Sequence, residues 1–164
     1  MPFSEILRKL NNHIGTHKVH LCPAVKGRLV NNGIPLANVK ISRTLSYSDG
    51  KYVEDECYTD SAGHFSMPEK SLRSSQPALL ITEKVVYQLI IVHFERIEYK
   101  LWSSTPSGIE PRNEYAVKLS SLNCDITDDE VSFYFKGNQE LHRYRASRVI
   151  SPFLTEIKSR YLGH

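Results

Sequence analysis

The strongest constraint on this 164-residue chain is turn chemistry, set at short intervals between runs of alternating apolar and polar residues. Val25, Gly27 and Leu29 alternate with Lys26 and Arg28, the pattern of a strand with one wet face. Asn31-Asn32-Gly33 follows, and Asn and Gly tolerate the positive φ that tight hairpin turns need. Val39 and Ile41 resume the alternation against Lys40 and Ser42. Within residues 46–54, Asp49-Gly50 marks a hairpin tip, and Asp60-Ser61-Ala62-Gly63 marks the next turn. Phe65 and Met67 alternate after it, and Pro68 ends that strand. This punctuation predicts a mainly β chain.

The second half continues in the same style. Residues 69–78 read as a polar connection. Val85, Tyr87, Leu89 and Ile91 alternate while Val86, Ile90 and Val92 fill the gaps, which predicts a strand buried on both faces. Ile97, Tyr99 and Leu101 suit a half-exposed strand, and residues 103–113 form a loop rich in Ser, Pro and Gly. Tyr115, Val117 and Leu119 predict a further strand, Asp125 to Glu130 an acidic turn, and Val131, Phe133 and Phe135 a last strand closed by Gly137-Asn138.

Short helices flank the strands. Over residues 3–14, Phe3, Ile6, Leu7, Leu10 and Ile14 fall on one face, with Ser4 as N-cap and Gly15 as stop, predicting a helix packed on the sheets. Residues 151–162 predict a second, opened by Ser151-Pro152 and carrying Phe153, Ile157 and Tyr161 at i, i+4 and i+8. The expected organisation is one domain over 1–164, with strands at 19–68 and 79–136. A chain this long buries a core without help from metal or disulfide.

Residues Val25 to Pro68 also carry a family pattern, V-x-G-R-L-V-x-x-G-x-P-L-x-x-V-x-I followed by T-D-x-x-G-H-F. It resembles the carboxypeptidase regulatory-like family through Gly27, Gly33, Pro35, Leu36, Val39, Ile41, Thr59, Asp60, Gly63 and Phe65. The resemblance implies a transthyretin-like (prealbumin-type) β-sandwich, and those residues specify architecture rather than chemistry. The lead-in K-V-H-L-C-P-A-V and the hairpin Y-S-D-G-K-Y-V-E-D-E are similar to an uncharacterised family of small bacterial proteins, often encoded beside secreted toxins. Two fragments, Thr16-His17 and Tyr144-Arg145-Ala146-Ser147, resemble the hydroxyisourate hydrolases, but the histidine spacing, the residue Ala146 and the chain that follows depart from that family.

Motifs for catalysis are sparse. There is no Gly-x-Ser-x-Gly elbow, P-loop or paired-carboxylate motif. His13, His17 and His20 are spaced as one helix face would need to hold zinc, but Gly15 and Thr16 interrupt them. Cys57 with His64 has a nucleophile-and-base spacing, which adjacent strands joined by a tight turn produce by coincidence. Cys22, Cys57 and Cys124, an odd number, read as reduced thiols. No cofactor and no metal is expected. The basic run from Lys136 to Arg160, with Arg143, Arg145, Arg148 and Lys158, reads first as a solvated face, with an acidic protein or a nucleic-acid backbone as alternatives. A net charge of +3 is too weak to favour nucleic acid.

The expectation is a non-catalytic protein-binding module. Its sharpest form is a cytoplasmic immunity protein that neutralises a secreted toxin, such as a type VI secretion effector. The expected contact surfaces are hairpin 46–56 and loop 103–113, with Tyr47, Asp49, Tyr52, Glu54, Asp55 and Glu56 as partner-binding residues. Alternatives are a structural or accessory subunit of a larger assembly, or a carbohydrate-binding or hydroxyisourate hydrolase-like enzyme; separately, an open strand edge would allow a homodimer. The N-terminus shows no signal peptide, and no apolar run is long enough for a bilayer, so a cytoplasmic location is expected.

Overall fold

The turn signals translate directly into strands. The computed structural model describes residues 2–78 and 82–135, together with His142–Arg145 and Leu154–Ile157. A helix α1 (Phe3–Asn11) leads into β1 (His17–Cys22), β2 (Val25–Asn31), β3 (Ile34–Pro35), β4 (Lys40–Tyr47), β5 (Tyr52–Tyr58), β6 (His64–Met67) and β7 (Lys70–Ser74). Then come β8 (Val86–Phe94), β9 (Ile97–Ser104), helix α2 (Asn113–Leu119), β10 (Cys124–Asp125), β11 (Glu130–Phe135), β12 (His142–Arg145) and β13 (Leu154–Ile157). The chain is mainly β.

A seven-stranded antiparallel sheet runs in the order β13-β11-β12-β9-β8-β4-β5, so β5 is an edge. A smaller sheet joins β10, β2 and β3, with β6 also on β2, and β1 pairs with β7. One core lies between these layers. Ile41 and Leu45 of β4, Val86, Ile90 and Val92 of β8, and Trp102 of β9 meet Val19, Leu21, Leu29, Phe65 and Leu72 from the other strands. Trp102, Tyr115, Phe133 and Phe135 form an aromatic cluster with centroid separations of 4.8 to 6.4 Å. A buried polar link joins the layers: Gln88 donates from Nε2 to the Leu21 carbonyl (2.7 Å) and accepts the Trp102 indole N–H at 2.9 Å.

The turns form as their residues dictate. Asn32 and Gly33 take φ of 50° and 79° between β2 and β3, and Asp125 accepts both of their N–H groups at 2.9 Å. In the turn after β5, Asp60 accepts the N–H groups of Ala62 and His64, while Gly63 sits at φ 81° with the Leu29 carbonyl where a Cβ would go. Gly27 is required by contact: a Cβ there would strike the Leu122 carbonyl.

Five expectations are corrected. Residues 113–119 are helix α2, not a strand, because Tyr115 and Leu119, four residues apart, are the buried pair while Val117 faces solvent. Residues 70–74 are strand β7 rather than a connection; Leu72 and Ser74 are buried where β7 closes the ladder to β1. Residues 154–157 form β13, not part of a helix over 151–162: β11 offers an open ladder there, and Thr155 and Ile157 are β-branched. The remainder of 151–162 lies outside the described residues. β8 is buried on one face only, since Tyr87 is 47% exposed while Leu89 and Ile91 are half-buried. Finally, α1 does not pack its apolar face on the sheets. Phe3, Ile6, Leu7, Leu10 and the following Ile14 are all between 41% and 74% exposed. Its N-cap residue is Pro2 rather than Ser4, and Asn12 caps its C-terminus.

Candidate functional site

α1 is held by polar bonds from its other side. The Arg8 guanidinium lies 4.6 Å over the Tyr52 ring, and Asn12 Nδ2 donates to the Tyr52 carbonyl at 2.8 Å. The decisive clamp is Lys51, in the turn between β4 and β5. Its ammonium donates to the carbonyls of Asn11 (2.8 Å), Ile14 (2.5 Å) and Arg73 (2.8 Å). An ammonium has three donors and here each meets one of these carbonyls, one on the last residue of α1 and one three residues beyond it. The clamp fixes the helix beside edge strand β5 and leaves its apolar stripe facing solvent. Between α1 and the outer face of β4 and β5 runs a groove of about 1270 Å³, lined by Leu7, Leu10 and Ile14 on one wall and by Ser42, Tyr52 and Glu54 on the other.

The expected contact residues divide by the pleat. Tyr52, Glu54, Glu56 and Tyr58 are exposed on one face of β5. Glu56 binds Lys40 at 2.5 Å and raises its pKa through that hydrogen bond. Glu54 has no ionic partner among the described residues. Asp55 points the other way, into a bidentate pair with Arg43, at 2.8 Å from Nε and 2.5 Å from Nη2. Arg43 is fully buried, and its Nη2 also donates to the Pro68 carbonyl at 2.8 Å. Tyr47 is buried in the core. Asp49 serves the turn, accepting the Lys51 N–H at 2.9 Å and the Ser74 hydroxyl at 2.6 Å. The structure therefore gathers Tyr52, Glu54 and Glu56 on one surface and assigns Tyr47, Asp49 and Asp55 to the fold. The apolar side of α1 was legible in the sequence as a stripe; its exposure was not.

One arrangement has the connectivity of a catalytic relay. Ser42 Oγ lies 2.9 Å from His93 Nε2, and His93 Nδ1 lies 3.3 Å from Glu98. The three sit on the outer face of β4, β8 and β9. Acyl transfer also needs free N–H donors for the oxyanion, and around Ser42 the backbone groups belong to the β4 ladders with β5 and β8. Cys57 lies on the inner face of β5, and burial raises its thiol pKa; burial pushes Cys22 up to about 11. All three cysteines are free thiols. Among the described residues no three of His, Cys, Asp and Glu come together as a metal site, and no helix is long and apolar enough to cross a membrane. Most of the basic run beyond Lys136 lies outside the described residues; Arg143 and Arg145 are on β12.

A family model described as a domain of unknown function, DUF6795, matches residues 25–129. The chain belongs to the DUF6795 family. No curated protein and no solved structure matches it. The matched DUF6795 span contains β5 and its acidic row, the turn carrying Lys51, and α2; α1 precedes it. In this DUF6795 chain the groove is thus built from one wall inside the family span and one wall outside it.

Proposed function

We propose that this chain is a non-catalytic protein-binding module, and that its docking surface is the exposed stripe of α1 with the outward row of β5. The observation that supports this reading best is the orientation of α1. A short helix whose large apolar residues are 41% to 74% exposed, while its polar side is clamped to the body, is shaped to be covered by something else. The acidic and aromatic row Tyr52, Glu54, Glu56 beside it adds anchors of the kind that give tight, oriented binding.

The finer reading is an immunity protein acting in the cytoplasm, whose acidic edge covers a basic site on a secreted toxin. The likeness of the lead-in and the 46–56 hairpin region to an uncharacterised family of small bacterial proteins supports it by association alone, since small proteins of that sort are often encoded beside secreted toxins. We read the two layers as a transthyretin-like sandwich on the strength of the Gly63 and Gly33 turns. Sugar binding through the sole tryptophan is set aside, since Trp102 is fully buried.

The test is affinity purification from native cells with the full chain and with Leu7→Asp/Leu10→Asp. One stoichiometric partner, encoded alongside and toxic when expressed alone, lost in the variant, is the expected result. Several partners from one assembly would favour an accessory subunit. Absence of any partner would overturn the reading.

A further inference from the structure

The edge of β5 carries more information than its side chains. Tyr47 donates its N–H to the Lys51 carbonyl and Thr59 donates to the Val39 carbonyl, with Leu45↔Val53, Arg43↔Asp55 and Ile41↔Cys57 in register between them. Hydrogen-bonded pairs recur at every second residue of an antiparallel ladder. The odd-numbered residues of β5 therefore bond to β4. The backbone N–H and C=O groups of Tyr52, Glu54, Glu56 and Tyr58 point away from the sheet. α1 occupies the Tyr52 carbonyl. Within the described residues no strand pairs with this side of β5, and no backbone hydrogen bond reaches Glu54, Glu56 or Tyr58 from it.

An open edge is ordinarily blunted by charges, Pro, a bulge or a covering helix; β5 has no Pro and no bulge between Tyr52 and Tyr58, its charges are all acidic, Asp55 is spent on Arg43, and α1 reaches only the Tyr52 carbonyl. We propose that β5 accepts an extended segment of a partner protein as an additional antiparallel strand, one with Lys or Arg at alternate positions, the first facing Glu54, which has no ionic partner among the described residues, and the next sharing Glu56 with Lys40, and with apolar residues on its opposite face. This rests on the protein-binding reading above and names the partner's chemistry. Main-chain bonds would supply affinity and the alternate side chains specificity. Charge complementarity selects the occupant. A second copy pairing β5 with β5 in the centred register would set Glu54 against Glu56 twice, like charges directly opposite.

The experiment uses the full chain, a nine-residue peptide alternating Lys and Val, and a control alternating Glu and Val. Binding is measured by titration and backbone protection by amide hydrogen exchange. The Lys-Val peptide should bind and slow exchange at Glu54, Glu56 and Tyr58, while the control should not bind. Glu54→Lys/Glu56→Lys should weaken binding about tenfold. Glu56→Pro should remove it while the fold stays intact, because that N–H bonds nothing inside the sheet. The proposal is overturned by no binding, by binding without protection of those amides, or by equal binding of the control. It is equally overturned if self-association or α1 insertion into anionic vesicles accounts for the surface. A native partner captured through α1 while the β5 amides still exchange freely would sink strand addition and leave the protein-binding reading standing.

Discussion

Arg43 is a fully buried cation in a core strand, tolerated because Asp55 meets it with two oxygens. Removing Asp55 strands that charge. Asp55→Ala should cost about 3–5 kcal/mol, read from the urea midpoint. The double replacement Arg43→Met/Asp55→Ala should recover most of it, since no unpaired charge remains. His20 offers a pH readout. Burial lowers its pKa below 6.5, against the opposing pull of Glu69 at 3.4 Å. Below pH 6.5 the unfolded chain takes up a proton that the folded chain resists, so stability falls as pH drops through the window between 6.5 and the lowered value. Thermal melts from pH 7 to 5 should show this slope, and His20→Gln should flatten it. The β8–β9 turn is the opposite case, with Glu95 and Arg96 both forced to positive φ, 49° and 64°. Arg96→Gly relieves the left-handed backbone and should stabilise by about 0.5–1 kcal/mol, measured as a higher urea midpoint.

At the scale of elements, α1 is the least independent piece, since a helix of nine residues is marginal alone. Its attachment runs through Lys51. Lys51→Met should let α1 fray, seen as faster amide exchange at Asn11 and Asn12, while the sheets keep their protection. Turns and most strands were legible because Asn-Gly, Asp-Gly and the T-D-x-x-G segment impose their backbone locally. What was not legible depended on neighbours. Tyr115, Val117 and Leu119 fit period two as well as a four-residue step, and only the aromatic cluster around Trp102 and Phe135 selects the helix. The β7 strand carries polar residues at Lys70, Ser71, Arg73 and Ser74, so its pairing with β1 left no apolar trace beyond Leu72. Of the candidate site, the acidic residues of β5 were legible; the diversion of Asp55 to Arg43 was not, because alternation puts Arg43 in phase with Val39 and Ile41 on the inner face but does not say which carboxylate meets its charge there.

For the whole molecule, the two layers divide the labour. The inner faces hold the core and the structural ion pair, while the outer edge and α1 carry an exposed apolar stripe and Glu54, which has no ionic partner among the described residues. Leu7→Asp/Leu10→Asp should therefore leave the unfolding free energy unchanged within about 0.5 kcal/mol, read from the urea midpoint, even as it abolishes partner capture. A large fall in stability would instead mean that α1 belongs to the core.

The Gln88 link has a practical corollary. Its amide bridges the Leu21 carbonyl in one layer to the indole of Trp102 in the other. Trp102 is the only tryptophan in the sequence, so the intrinsic fluorescence of this chain is a single-site gauge of whether its two layers remain docked. Parting the layers would wet that indole and shift its emission to the red. Binding at the α1 and β5 surface would leave the emission wavelength alone, and the two events can be told apart in one cuvette without any label.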